Sequence, residues 1–489
     1  MGNPTRAPFP AGEGPPGAYR FDGRPLWRIL GARAAPFLPV LLGLGVLLGV
    51  LLAPTPEGLS TEGQRALGVF ALAFALWTTQ VLPLPATSLL VLALLPLLGV
   101  TDASTTYAYF GNRAVFFLLG VFVLTAAVRA WGLSTRLAVA ILRVAGGGPL
   151  SLLLGVLGCG AFLSLWMPEH AVAALLFPVV AGIGRTLDGV PGGPRLARGL
   201  TLAMAWGCIA GGVATLLGGA RAPLALAILE RSTGRTLSFL DWTVAAAPVA
   251  AATVAAAGLL LWALYARSSR ADLAPVRRAL AEEARALGRV KLGEKVVGVV
   301  MVATVAAWIG WGDRLGLATI SLTAAGVVFL LRLLTWQEAE RSVHWGVVVL
   351  YGGAIALGSA LHDTGAALWV ARAALGGAEG SPWLFLAALA LASLLLTEAI
   401  SNAAVVALLL PLGLSLGLEL GVDPRLVALA VAVPSGFSFA LPIGTPATAI
   451  AFSSGRLRLR DLALPGLLLN LVAFGLVLGA LRYWWPAAG

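Results

Sequence analysis

The chain has 489 residues, of which 59% are hydrophobic and only 11% charged, where a soluble chain carries about a quarter charged. Apolar runs long enough to span a bilayer recur from Pro36 to Trp485, which excludes a soluble enzyme, a secreted disulfide scaffold and a disordered chain. The net charge of +11, from 33 basic and 22 acidic residues, is distributed as membrane topology requires and does not point to nucleic acid.

Residues 1–35 are rich in Pro, Gly and Arg with no apolar core, the pattern of a cytoplasmic arm rather than a cleavable signal peptide. The first predicted span is 37–53. Others follow at 65–82, 86–100, 113–130, 199–228, 241–265, 296–311, 317–334, 346–361, 425–455 and 462–483, with 199–228 and 425–455 broken. Two stretches, 149–186 and 382–414, are long enough to enter and leave the membrane but are interrupted midway. Pro168-Glu169-His170 interrupts the first; Thr397-Glu398 and Ser401-Asn402 interrupt the second. Each predicts a re-entrant hairpin whose tip lies at membrane depth, where irregular backbone persists only if protein buries it or a cavity borders it. Cys159 and Cys208 lie in apolar segments without metal-ligand spacing and read as buried free thiols.

The polar segment 266–295 separates a first half, 36–265, from a second, 296–489. Its apolar positions Val276, Leu280, Ala284 and Leu287 form the stripe of a short amphipathic helix, read as a cytoplasmic linker. With the hairpins entering from opposite sides, 24 Lys and Arg fall on the cytoplasmic side and 8 outside, with Arg221 at mid-membrane. That bias predicts a multi-pass plasma-membrane protein with its N-terminus cytoplasmic and its C-terminus outside.

The halves repeat. Ala171–Pro178 matches Ala404–Pro411 at six of eight positions, 233 residues apart, and Gly211–Gly219 corresponds to Phe437–Thr445. Opposite entry makes the repeat inverted, and an inverted repeat with broken helices is the architecture of a secondary transporter. Ser401 and Asn402 precede a helical run and are expected to act as N-cap groups. In Gly444-Thr445-Pro446, Thr445 is placed as N-cap, Pro446 in the first turn and Gly444 at the break. Two helix N-termini would then face each other at mid-membrane and favour an anion, while freed carbonyls could coordinate a small cation. The alternative is that Ser and Asn only pack helices and the Gly-Thr-Pro is a kink.

Thr397–Ala403 with the helix ending at Pro411, followed by Leu441–Pro446, resembles the divalent anion/sodium symporter family of di- and tricarboxylate and sulfate carriers. Ala75–Thr78, Phe117–Gly120 and Trp131–Leu133 add to the resemblance, which covers roughly 60–485. It implies an all-α polytopic membrane protein of about eleven spans with two re-entrant hairpins in an inverted repeat. It also implies a homodimer, elevator motion of a transport domain against a scaffold, and no cofactor beyond sodium at a second-half site. In the family each tip carries Ser-Asn-Thr. The resemblance therefore assigns Ser401 and Asn402 to substrate, with Ala403, Thr445 and Pro446 beside them. Thr397, Asn402, Gly444 and Thr445 become the sodium-side residues, and Glu398 helps to hold the tip.

The chain departs from the family at Ala403, which stands for Thr. It departs further in the first half, where Pro168-Glu169-His170 replaces Ser-Asn-Thr and Gly218–Arg221 replaces Gly-Thr-Pro-Pro. Ionisable residues within a membrane are costly and usually functional, so Glu169 and Arg221 are expected to pair, replacing the first sodium site. The plainer alternative has Arg221 snorkelling and Glu169 capping a helix. His170 reads as a gating proton site or a packing residue, and His344 and His362 as interfacial. Glu169, His170 and Arg221 thus join the substrate-site residues. The predicted function is secondary transport of a small divalent anion coupled to sodium or protons, in the lipid bilayer and without a nucleic-acid partner. An exchanger of the same fold is the alternative. A membrane-embedded transferase is more remote, because only 1–35 and 267–295 are long enough to carry a catalytic loop.

Overall fold

The computed structural model describes residues 38–267, 269–375 and 381–488, which contain helices and no strand; the arm 1–35 lies outside them. The first half comprises α1 Leu38–Leu52, α2 Thr61–Thr79, α3 Leu84–Leu97, α4 Arg113–Ala130, α5 Leu133–Ala145, α6 Pro149–Leu163, α7 Glu169–Leu187, α8 Gly193–Gly211, α9 Arg221–Thr233 and α10 Phe239–Leu261. The linker helix is α11 Ala274–Ala286. The second half comprises α12 Leu292–Leu315, α13 Leu317–Leu330, α14 Trp345–Asp363, α15 Ala366–Leu375, α16 Pro382–Thr397, α17 Asn402–Glu419, α18 Pro424–Ala432, α19 Pro446–Ser453 and α20 Leu459–Gly479.

Each predicted span is a helix or a broken pair, and α6–α7 and α16–α17 are the two hairpins. Seven described helices are long and apolar enough to cross a membrane, the second arms α7 and α17 among them. Local chemistry sets the ends. Ser60 Oγ accepts from Gly63 N at 3.0 Å to open α2, and Ser238 and Asp241 form a reciprocal box at the start of α10. Pro149 and Pro382 sit in the first turns of the two hairpins, where a missing N–H costs nothing. The structure adds α5 and α15, which the sequence reading lacked; with Arg136 and Arg143 in one and Arg372 in the other, neither has an apolar run of span length.

The repeat is written into the packing. Leu133 and Ala366, Pro149 and Pro382, and Glu169 and Asn402 begin matching helices at the same spacing of 233. A Cβ on Gly120 of α4 would meet the backbone of Ser321 at 2.6 Å, and one on Gly353 of α14 would meet Ser88 Cα at 2.9 Å. Gly353 is the counterpart of Gly120, and Ser321 that of Ser88. Each half therefore lends a glycine to a helix of the other, as two halves related by a pseudo-twofold must.

Ion pairs tie each face to itself. Arg456 meets Asp188 at 2.6 Å and Arg198 meets Asp461 at 3.7 Å on one face; Arg113–Glu230, Arg231–Asp363 and Arg372–Glu419 lie on the other. In the linker, Val276 and Leu280 of α11 are buried while Arg277 and Arg278 are exposed.

Candidate functional site

Both hairpin tips and both helix breaks converge on one cavity of about 920 Å³. The N-termini of α7, α9, α17 and α19 all reach it, through Glu169 and His170, Arg221, Ser401–Ala403, and Thr445 and Pro446. Four helix starts give the cavity a set of partial positive charges from their first-turn N–H groups. Gln80, Val343, Trp345 and Ile443 also line it, and Trp345 and Ile443 are exposed.

The second-half tip is tightly tied, and the side chains it turns to the cavity are neutral. Thr397, fully buried, donates from Oγ1 to the Ser435 carbonyl at 2.6 Å and lies 2.9 Å from Asn402 Oδ1. Gly444 is adjacent, since a Cβ there would come within 3.3 Å of the Glu398 carbonyl. Thr445 caps α19 as expected, accepting from Thr448 N at 3.2 Å, with Pro446 in the first turn. Ser401 differs from the expectation. It occupies the N-cap position of α17, but its side chain makes no capping bond, which leaves the hydroxyl to the cavity.

Glu398 holds this tip to the unwound stretch after α18. Its carboxylate accepts from the backbone N–H groups of Phe439 at 2.8 Å, Ala440 at 3.0 Å and Leu441 at 2.7 Å, and from Asn470 Nδ2 at 2.6 Å. The sequence reading missed Asn470, whose signal is a lone amide inside the apolar run Leu467–Val472.

The first-half tip does the same work with charge. Arg221 Nη1 lies 3.4 Å from Glu169 Oε2, and the pair is buried, with side-chain exposures of 1% and 5%. The other carboxylate oxygen lies 3.4 Å from Asn402 Nδ2, so Glu169 joins Arg221 to the opposite tip. The Glu169 N–H donates to Gly218 O at 2.9 Å and Thr215 Oγ1 to Leu165 O at 2.8 Å, fastening this tip to its own break. Arg221 Nε and Nη2 have no hydrogen-bond partner among the described residues; they lie against Gly436, where a Cβ would collide with the guanidinium. Arginine at a helix start opposes the helix dipole, so the Glu169 carboxylate is the compensation that this placement needs.

His344, read from the sequence as interfacial, is exposed just before α14 and also lines the cavity, with its Nε2 3.1 Å from His170 Nε2. Its local context, just before a span, does not show that contact; only the placement of the start of α14 beside the first tip brings it against His170. His362 lies near the other end of α14 and is exposed. Cys159 and Cys208 are free and buried.

Residues 34–489 match the family model described as the sodium:sulfate symporter transmembrane region. The chain is 28% identical over 474 residues to the sodium-dependent dicarboxylate transporter SdcS of Staphylococcus saprophyticus, covering 88% of this chain and 89% of that one. Two solved structures share the fold. The YdaH transporter of Alcanivorax borkumensis aligns with TM-score 0.54 at 17% identity, over 92% of this chain and 99% of that one. MtrF of Neisseria gonorrhoeae aligns with TM-score 0.55 at 13% identity, over 93% and 96%.

Proposed function

The chain belongs to the sodium:sulfate symporter family, and from that premise we propose that it is a sodium-coupled carrier of a small divalent anion, a dicarboxylate or sulfate. The family is one of transporters, so the transferase alternative is set aside. The observation that carries the reading is the convergence of four helix N-termini, with the free Ser401 hydroxyl and the Asn402 amide, on one cavity. Such a site favours an anion without a metal cofactor. One end of the substrate sits at Ser401, Asn402, Ala403, Thr445 and Pro446. A sodium ion sits behind them on Thr397, Asn402 and the backbone of Gly444 and Thr445, and anion and cation lower each other's desolvation cost.

In the first half, Glu169 holds the repeat position of Asn402, and the Arg221 guanidinium 3.4 Å from it serves in place of a second cation. The carrier therefore couples through one sodium site, with Arg221 as a fixed charge at the other. It works as a homodimer, and the arginine-rich face that includes Arg129 and Arg341 is cytoplasmic, so the cavity mouth at Gln80 and Trp345 opens inward. Cysteine labelling that placed 267–295 and the C-terminus on the same side would overturn this topology.

The test is uptake of radiolabelled succinate or sulfate by proteoliposomes. An inward sodium gradient should drive accumulation of at least one of them. Uptake that needs internal anion and ignores sodium would support the exchanger, and no uptake under either condition would reject the reading.

A further inference from the structure

The chain has three histidines, and two of them meet in the cavity. His170 is the second residue of α7 at the first tip, and His344 immediately precedes α14. Their rings are nearly perpendicular, at 89° with centroids 4.7 Å apart. The repeat counterpart of His170 is Ala403, so the second tip has no imidazole to match. The elements around the pair offer it little charge. The cation nearby is Arg129 of α4, exposed and with Nη2 3.0 Å from Ser342 Oγ two residues before His344, and Phe122 packs on His344 with centroids 5.4 Å apart. On α7 itself, Glu169 is turned to Arg221 and Asn402. Among the described residues, no carboxylate bonds either ring.

We propose that His170 and His344 receive the distal carboxylate or oxyanion group of the substrate, and that one proton is taken up with each anion bound. This rests on the carrier reading above and adds to it a second subsite and a proton. The chemistry follows from the contact. A bond between two Nε2 atoms needs an N–H on one ring and a lone pair on the other. An anion inserted between the rings would face one donor and one repelling lone pair. Uptake of a solvent proton at that lone pair breaks the ring-to-ring bond and turns both Nε2–H groups to the anion. The resulting imidazolium beside Arg129 is two like charges, and only the incoming anion balances them. Proton and anion therefore enter together, and the affinity of the neutral pair rises about tenfold for each unit that pH falls.

The test uses the purified full chain in detergent with saturating sodium. Succinate and sulfate are titrated calorimetrically in two buffers of different ionisation enthalpy, which gives the protons taken up per anion. The expected result is about one proton for the wild type and about none for His170→Ala and His344→Gln, with the pH dependence of affinity flattened in both. Thermal stabilisation by sodium alone shows that the variants are folded. Binding without proton uptake would mean that a ring merely changes tautomer and would overturn the proposal, as would proton uptake that persists in both variants. If neither anion binds the wild type in sodium, the carrier reading fails and this subsite with it.

Discussion

Replacing Arg221 with Gln isolates the central electrostatic element of the cavity. The change removes the cation 3.4 Å from Glu169 Oε2 and leaves a carboxylate that is 4% exposed, held only by the long contact to Asn402 Nδ2 at 3.4 Å. Breaking a buried pair by removing one partner costs about 3–5 kcal/mol, because the remaining charge stays desolvated. Neutralising both partners in Glu169→Gln/Arg221→Gln leaves no stranded charge and should recover most of that loss. The assay is a double-mutant cycle on thermal unfolding of the purified carrier, extended to the sodium dependence of anion binding. A coupling of at least about 2 kcal/mol is expected between the two sites. The single variant should also bind anion more weakly, since the fixed positive charge has gone while the negative one remains. A loss within about 0.5 kcal/mol for Arg221→Gln, or a double variant no more stable than the single, would refute the pairing argument. A wild-type sodium stoichiometry equal to that of two-site relatives would refute the idea that Arg221 replaces a sodium ion.

Three further outcomes follow from the geometry. Asn402→Ala removes the partner of both Thr397 and Glu169, and the loss of a hydrogen bond to a charged substrate group, about 1.5–3 kcal/mol, should weaken succinate binding at least tenfold by calorimetry. Glu398→Gln presents an amide N–H to a nest of three backbone N–H groups and Asn470; it should lower the melting temperature and abolish uptake, whereas unchanged uptake would show that the clamp is dispensable. Outside the membrane, the hydrogen bonds from Arg456 hold the Asp188 carboxyl below its ordinary range. Its stabilising contribution is therefore full above the unfolded value and lost as pH falls through the lower folded one. Wild type should exceed Asp188→Asn in melting temperature near neutrality and converge with it in acid, and parallel curves would show that the pair contributes nothing.

Much of this architecture is legible in the residues. Polar interruptions at 168–170 and 397–402 cannot sit in lipid, so they mark the hairpin tips, and the match of Ala171–Pro178 to Ala404–Pro411 gives the repeat. Thr445 and Pro446 carry their own helix-start chemistry and act as it dictates. What escaped the sequence depends on contacts between distant segments or on weak local signals. His344 meets His170 only because the start of α14 lies beside the first tip. Helices α5 and α15 bury a stripe too short and too polar to count as a span. Ser401 has the composition of a cap, yet the backbone geometry at that tip leaves its hydroxyl unused.

The two halves solve one problem in two ways, and the difference has a consequence for coupling. At the second tip, Thr397 and Asn402 offer neutral oxygens, so under the proposed coupling a positive charge there arrives from solution and leaves again. At the first tip, the positive charge is covalently attached and already neutralised by Glu169, so it cannot be released to the other side of the membrane. A charge that stays with the protein contributes to binding in every state but carries no ion down a gradient. Losing a mobile cation at one tip would reduce the driving force for a dianion. A proton entering with the substrate at His170 and His344 would restore one positive charge per cycle, on the half of the repeat where Arg221 is proposed to stand in for a sodium ion.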